Sequence, residues 1–283
     1  MSIVIDIDGV CKSYKNVKAL DNFSLHIDKG ELFGLIGPNG AGKTTVFNLL
    51  TGVYKPTTGN FFLDGVKLNG KTPVEINKAG IARTFQNIRL FKTMTVLENV
   101  LVAMHMRRTS NLFTATLMLN KKEESAFKAE ALELLKKVGL YELRDELATS
   151  LPHGKQRHLE IARALAIDPK FILLDEPFAG VDPIAVEDIQ YIIAKLKYKN
   201  IGVIITDHNV GETLAIIDRA YLLYEGSILQ SGTPEALAED DEVRTKYLGS
   251  NFVLKRSAAF LRAEAGGPQR LNTKEEHEAA AAE

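Results

Sequence analysis

The chain has 283 residues and a mass of 31.2 kDa, with 45% apolar and 25% charged residues; that is one large α/β domain or two domains of about 150 residues, with enough apolar material for a real core. Thirty-five Lys and Arg against 36 Asp and Glu leave a net charge of −1, which argues against a broadly basic surface for nucleic acid, and no nucleic-acid partner is expected. No apolar run approaches the ~18 residues of a membrane span, Met1 to Asp6 lack the basic-then-apolar order of a secretory signal, and the single cysteine, Cys11, excludes an internal disulfide and a cysteine-built zinc site.

Phe23, Leu25 and Ile27 alternate with polar residues and predict a strand, closed by an Asp28-Lys29-Gly30 turn. Residues 31–36 predict a second strand that ends in a glycine-rich loop, and from about Gly42 to Gly52 the pattern is helical. Residues 55–59 read as a loop and 60–63 as a short strand closing on Asp64-Gly65. The middle of the chain is mainly helical. There Phe127, Ala131, Leu134, Leu135 and Val138 share one face of a helix that stops at Gly139. The basic stretch 107–122 reads as a loop or short helix without chemistry of its own. Farther on, residues 171–174 and 203–206 are β-rich, and Val186, Ile189, Ile193 and Leu196 between them repeat at helical spacing. Strand–helix–strand order predicts a parallel sheet with helices on its faces. Residues 221–224 and 228–230 flank Glu225-Gly226 as a hairpin. Pattern fades beyond Arg256, and 255–283 is expected to be a disordered tail or a loosely attached helix.

Two motifs carry chemistry. Gly37-Pro38-Asn39-Gly40-Ala41-Gly42-Lys43-Thr44 fills every position of the phosphate-binding loop and lies between a predicted strand and a predicted helix. Its glycines let backbone N–H groups turn inward on phosphate oxygens, and the helix N-terminus adds its dipole. Lys43 is placed to reach the outer phosphates and the Thr44 hydroxyl to bind Mg²⁺. The second motif is the apolar run 171–174 ending in Asp175-Glu176. Asp175 is a candidate ligand for Mg²⁺, and Glu176 a candidate general base toward the attacking water.

Together these motifs resemble the ATP-binding subunits of ABC transporters, over about residues 3–254. The resemblance implies an α/β ABC-type P-loop ATPase, with a mostly parallel core sheet, an antiparallel β subdomain and a helical subdomain at about 87–165. It implies ATP and Mg²⁺ as cofactors. It also implies a homodimer, or a heterodimer with a second ATP-binding subunit, in which each ATP lies between one phosphate loop and the other subunit's signature segment. Transmembrane permease subunits are the implied partners, and the cytoplasmic face of the inner membrane, peripherally, the implied location. Residue by residue, Tyr14 matches the aromatic that stacks on adenine, Thr45 follows the phosphate loop into the nucleotide site, and Gln86 matches the glutamine that touches Mg²⁺ and senses the membrane partner. Gly180-Val181-Asp182 matches the loop at the dimer interface, with Asp182 toward the nucleotide. His208 matches the histidine that contacts the γ-phosphate. His26, His105, His153, His158 and His277 match no such position. The signature segment is Leu151-Pro152-His153-Gly154-Lys155-Gln156-Arg157. It departs from the family's Leu-Ser-Gly-Gly-Gln at Pro152, His153 and Lys155, which leaves Leu151, Gly154 and the helix N-terminus behind them as its nucleotide-binding features.

Two subfamilies claim different stretches. Residues 45–52, 82–91 and 94–96, the segment near Asn111-Leu112-Phe113 and the unusual signature resemble the ATPases of branched-chain amino acid importers. Residues 171–183, 204–210 and 243–252 resemble the ATPase of the lipopolysaccharide exporter. Because the stretch after Gln86 is the one that meets the membrane subunit in this family, amino acid import is the expected role, with lipopolysaccharide export as the alternative. A soluble ABC ATPase without a membrane partner is the alternative of another class.

Overall fold

The computed structural model describes residues 5–107 and 121–265. Strands β1 (Ile5–Tyr14) and β2 (Val17–Ile27) pair antiparallel, Ile5 opposite Ile27 and Ile7 opposite Leu25. Their alternate residues Ile5, Ile7, Leu25 and Ile27 are buried, as period-two patterning demands. β4 (Thr58–Leu63) pairs with the other edge of β1, and β5 (Val66–Lys67) completes a four-stranded antiparallel sheet.

The second sheet has six strands in the order β10-β9-β3-β8-β7-β6. β3 (Leu32–Ile36), β6 (Ile81–Arg83), β7 (Phe171–Asp175), β8 (Gly202–Thr206) and β9 (Arg219–Tyr224) run parallel, and β10 (Ser227–Gly232) folds back on β9 as the expected hairpin. Every residue of β3, β7 and β8 is buried, so these strands are apolar on both faces. Phe33, Leu35, Phe171, Leu173 and Ile204 point to one core, shared with the small sheet and with Val46, Phe47, Leu49 and Leu50 of helix α1 (Lys43–Leu50). Leu32, Ile36, Ile172, Leu174, Val203 and Ile205 point to the other.

The second core is helical. α2 (Pro73–Ala79) carries Thr72 as its N-cap and Ile76 to the first core. α3 (Val96–Met104), α4 (Lys121–Lys137), α5 (His153–Leu165) and α6 (Pro183–Lys197) bury Val100, Met104, Ala131, Leu135, Leu159, Ile161, Ile189 and Ile193 together. The helices proposed as a subdomain at 87–165 thus share one continuous core with the main sheet. Most of the stretch 107–122 lies outside the described residues. α7 (Val210–Leu214) and α8 (Pro234–Glu239) follow.

One expectation is corrected. Residues 258–264 are neither disordered nor loosely held. They form α9 (Ala258–Glu264), which packs on α6 and buries Ala259, Phe260 and Ala263. The sequence concealed this because a seven-residue helix shows barely two turns of apolar spacing, and the face it covers belongs to a distant helix. Residues 266–283 lie outside the described residues.

Candidate active site

β3, β6, β7 and β8 are parallel, so their carboxyl ends share one edge of the sheet, where open α/β sheets present ligand-binding loops. The phosphate loop leaves β3, Gln86 follows β6, Glu176 follows β7 and His208 follows β8. In the phosphate loop Gly42 takes φ 112°, and a Cβ there would sit 2.8 Å from the Ala19 carbonyl oxygen, so no side chain fits. Lys43 Nζ donates to the carbonyls of Gly37 (2.6 Å) and Pro38 (2.9 Å), which sets its ammonium over the loop. Burial lowers its pKa, and the carboxylates Glu176 and Asp175 pull the other way. A cation set over a glycine-rich loop that opens a helix, with Asn39, Gly40 and Thr44 exposed, fits a polyphosphate.

Glu176 has φ 51°, a conformation that costs a non-glycine residue on the order of 1 kcal/mol. Its N–H donates to the Thr206 carbonyl (2.7 Å), which holds the turn against β8. The carboxylate then lies between the two other expected site side chains. Gln86 Nε2 donates to Oε2 (2.9 Å), and His208 Nε2 stands 2.6 Å from Oε1. Asp207, just before His208, is buried and accepts the N–H groups of Asn209 (2.8 Å) and Phe178 (3.0 Å). Burial raises its pKa against those two hydrogen bonds. It ties the loop after Glu176 to the loop bearing His208.

Asp175 is held on every side. Thr206 Oγ1 donates to Oδ1 (3.0 Å), Arg83 to Oδ2 (2.7 Å), and its own N–H donates to Thr84 Oγ1 (3.2 Å). Hydroxyl, amide and carboxylate oxygens at Thr44, Gln86 and Asp175 are hard donors of the kind Mg²⁺ uses with substrate phosphates. Among the described residues no cluster of three His, Cys, Asp or Glu would suit a transition metal instead.

The signature segment opens α5. Pro152 is the N-cap, where its missing N–H costs nothing. Leu151 is buried in the helical core, so its side chain is a packing element rather than a nucleotide contact. Gly154 is buried too. A Cβ on it would lie 2.5 Å from Ala185 Cβ of α6, so the absence of a side chain serves the α5–α6 packing of its own chain. Asp182 caps α6 by accepting the Ala185 N–H (3.0 Å). Tyr14 is 38% exposed, edge-on to Tyr54 at 5.5 Å, with Lys12 Nζ 5.0 Å from its ring centre and Thr45 at its hydroxyl. The Tyr14 ring is thus partly open to solvent, with its hydroxyl at Thr45, the residue that follows the phosphate loop.

Residues that motif reading passed over complete the site. Arg157 of α5 donates to the carbonyls of Phe85 (2.8 Å) and Gln86 (2.7 Å) and pairs with Glu160 (2.7 Å), which accepts the Phe85 N–H (3.1 Å). This buried pair fastens the backbone around Gln86 to the signature helix. Its sequence signal was available: two charges at i, i+3 on a helix face shared with apolar Ile161 and Ala164. Arg83 and Thr206 gave no signal of their own, because their partner Asp175 is remote in sequence from Arg83 and adjacent only across the sheet from Thr206.

Comparison with known proteins agrees with this geometry. Residues 20–179 match the family model described as ABC transporter. The chain is 40% identical over 251 residues to the lipopolysaccharide export system ATP-binding protein LptB of Haemophilus influenzae, an alignment covering 89% of this chain and 99% of that one. It is 38% identical over 249 residues to the high-affinity branched-chain amino acid transport ATP-binding protein LivG of Salmonella typhimurium, covering 87% and 98%. Among solved structures, an ATP-binding cassette of an ABC transporter in its ADP conformation superposes with a TM-score of 0.77 at 33% identity, over 88% of this chain and all of that one. A dimeric cassette in a post-hydrolysis state with ADP and Pi gives 0.69 at 28% identity, over 81% and 98%. The phosphate loop, the Asp175-Glu176 strand end and these likenesses lead to one conclusion: the chain belongs to the ABC transporter family, as an ATP-hydrolysing, ATP-binding subunit.

Proposed function

We propose that this subunit powers a branched-chain or related amino acid importer, docked as a peripheral protein on the cytoplasmic face of the membrane. Two such subunits, identical or paired with a second ATP-binding subunit, would enclose ATP, and Thr44, Gln86 and Asp175 of each would hold Mg²⁺. When bound, Mg²⁺ would neutralise developing charge on the phosphates. Glu176 accepts the proton of the attacking water, and Gln86 and His208 keep that carboxylate aimed. Lys43 anchors the outer phosphates. Among the described residues no helix is long and apolar enough to cross a membrane; permease subunits, as in its transporter relatives, would form the translocation path.

One observation carries the preference for import. Exporter-like stretches 171–175 and 204–206 are buried strands and serve any member that hydrolyses ATP. The importer-like stretch 82–91 instead runs to the surface, where Phe91 is 42% exposed. There buried Asn99 holds the Phe91 N–H (2.9 Å) and carbonyl (3.1 Å), so the ring is presented from a fixed backbone. Lipopolysaccharide export is the second reading, supported by the exporter relative's slightly higher identity, 40% against 38%, and by the exporter-like stretch 243–252. The test is to isolate the chain with its membrane subunits and measure ATP hydrolysis. Stimulation by a branched-chain amino acid on its solute-binding protein supports import; stimulation by lipopolysaccharide alone sinks it.

A further inference from the structure

Arg83 ends β6 three residues before Gln86, in a position to which neither phosphate-loop nor strand-end motif assigns a role. Its guanidinium is buried, with 9% of its side chain exposed and 11% of that of Asp175. A buried guanidinium is tolerated only when its charge is matched. Here Asp175 Oδ2 accepts from one terminal nitrogen (2.7 Å), while the other donates to Asn48 Oδ1 (2.7 Å) and Thr51 Oγ1 (3.4 Å). The rings of Phe47 and Phe85 lie 5.5 and 5.2 Å from it. Phe47, Asn48 and Thr51 belong to the helix that Lys43 and Thr44 open, or to its C-cap. One planar side chain thus joins the helix of the phosphate loop to the carboxylate at the end of β7.

From this geometry we infer that Arg83 is a positioning residue for Asp175. It fixes where the metal-facing carboxylate stands relative to Thr44, and it is that carboxylate's resident counter-charge. Thr84 does the same for the backbone by accepting the Asp175 N–H (3.2 Å). The flat fork is needed: its two terminal nitrogens reach helix and strand at once beside the Phe47 and Phe85 rings, which a single ammonium cannot do. Outer partners of a metal ligand set its orientation, and losing one weakens metal affinity by roughly 10–100-fold. The inference rests on the reading of Asp175 as a magnesium ligand.

The experiment measures affinity of the full chain for a non-hydrolysable ATP analogue, with Mg²⁺ and in EDTA. In Arg83→Met the affinity in EDTA should stay within about 2-fold of the unaltered chain, because Lys43 and the loop are untouched. The extra affinity conferred by Mg²⁺ should fall about 10-fold. Arg83→Lys, which keeps charge and loses the fork, should recover part of it. On an Asp175→Asn background Arg83→Met should remove nothing further. Equal weakening with and without Mg²⁺ would show a merely structural role and overturn the inference, as would additive losses in the double variant or full Mg²⁺ dependence in Arg83→Met. If Asp175→Asn alone leaves the Mg²⁺ dependence intact, the magnesium reading of Asp175 falls first, and the inference with it.

Discussion

Glu176 is aimed by its backbone as well as by its neighbours. The left-handed φ of 51° turns the residue out of the line of β7, and only that turn lets Oε2 meet Gln86 and Oε1 meet His208. Glu176→Gln keeps the shape and one acceptor oxygen but has no basic lone pair to take a proton at neutral pH. Turnover should fall by roughly 10²–10⁴, with binding of ATP preserved. A parallel measurement of ATP affinity and steady-state hydrolysis checks this. Near-normal hydrolysis would move the base elsewhere, with His208 next in line at 52% exposure beside it.

At the scale of elements, α5 is the member with most depending on it. It opens with the signature segment, grips the backbone at Phe85 and Gln86 through Arg157, and packs against α6 through Gly154. Gly154→Ala should overpack that contact and cost about 1–3 kcal/mol. Adding Ala185→Gly should restore part of the loss, less the ~1 kcal/mol that a helical glycine costs. Urea unfolding of the parent and the two variants decides it, and a Gly154→Ala protein as stable as its parent would remove the packing argument. The same helix holds His158, wholly buried, with Nδ1 3.1 Å from the Val138 carbonyl and no partner at Nε2 among the described residues. Burial, then the nearby Lys155, lowers its pKa from 6.5 to about 3. The folded state therefore favours the neutral ring. Its contribution is complete above pH 6.5. Below that, the unfolded chain binds a proton the folded chain refuses, and stability falls by up to ~1.4 kcal/mol per pH unit until about pH 3. In His158→Leu the slope of stability against pH should flatten across that window; an unchanged slope would assign acid sensitivity to other groups.

Across the whole molecule, the C-terminal segment closes the fold. Ser257 caps α9 and donates to Gln190 Oε1 (2.6 Å), while Gln190 Nε2 donates to the Glu212 carboxylate (2.6 Å), so α6, α7 and α9 meet on one buried amide. Arg256 adds a bond to the Ile217 carbonyl (2.7 Å). Phe260→Ala should cost about 3 kcal/mol, the low end for a large buried aromatic, and lower Tm by about 5 °C in a chain of this length. Thermal melts with and without ATP test it. A melt unchanged from the parent would return this segment to the status of a loose tail.

Local chemistry was legible in the residues alone. Gly37 to Thr44 specify a phosphate loop because only those residue types turn N–H groups inward over so short a span, and the apolar run into Asp175-Glu176 specifies a buried strand with carboxylates at its end. The parallel core followed from alternating strand and helix patterns. Whatever depends on a neighbour across the sheet was not legible. Arg83 reads as one more charged residue until Asp175 is placed beside it by the β6–β7 register. Gly154 reads only as part of the signature segment, and its packing against Ala185 appears only once α6 is placed beside it. Residues 258–264 read as tail until α6 supplies their other face. In each case the sequence names one partner, and the energy of the interaction resides in the distance to the other, which only the folded chain sets.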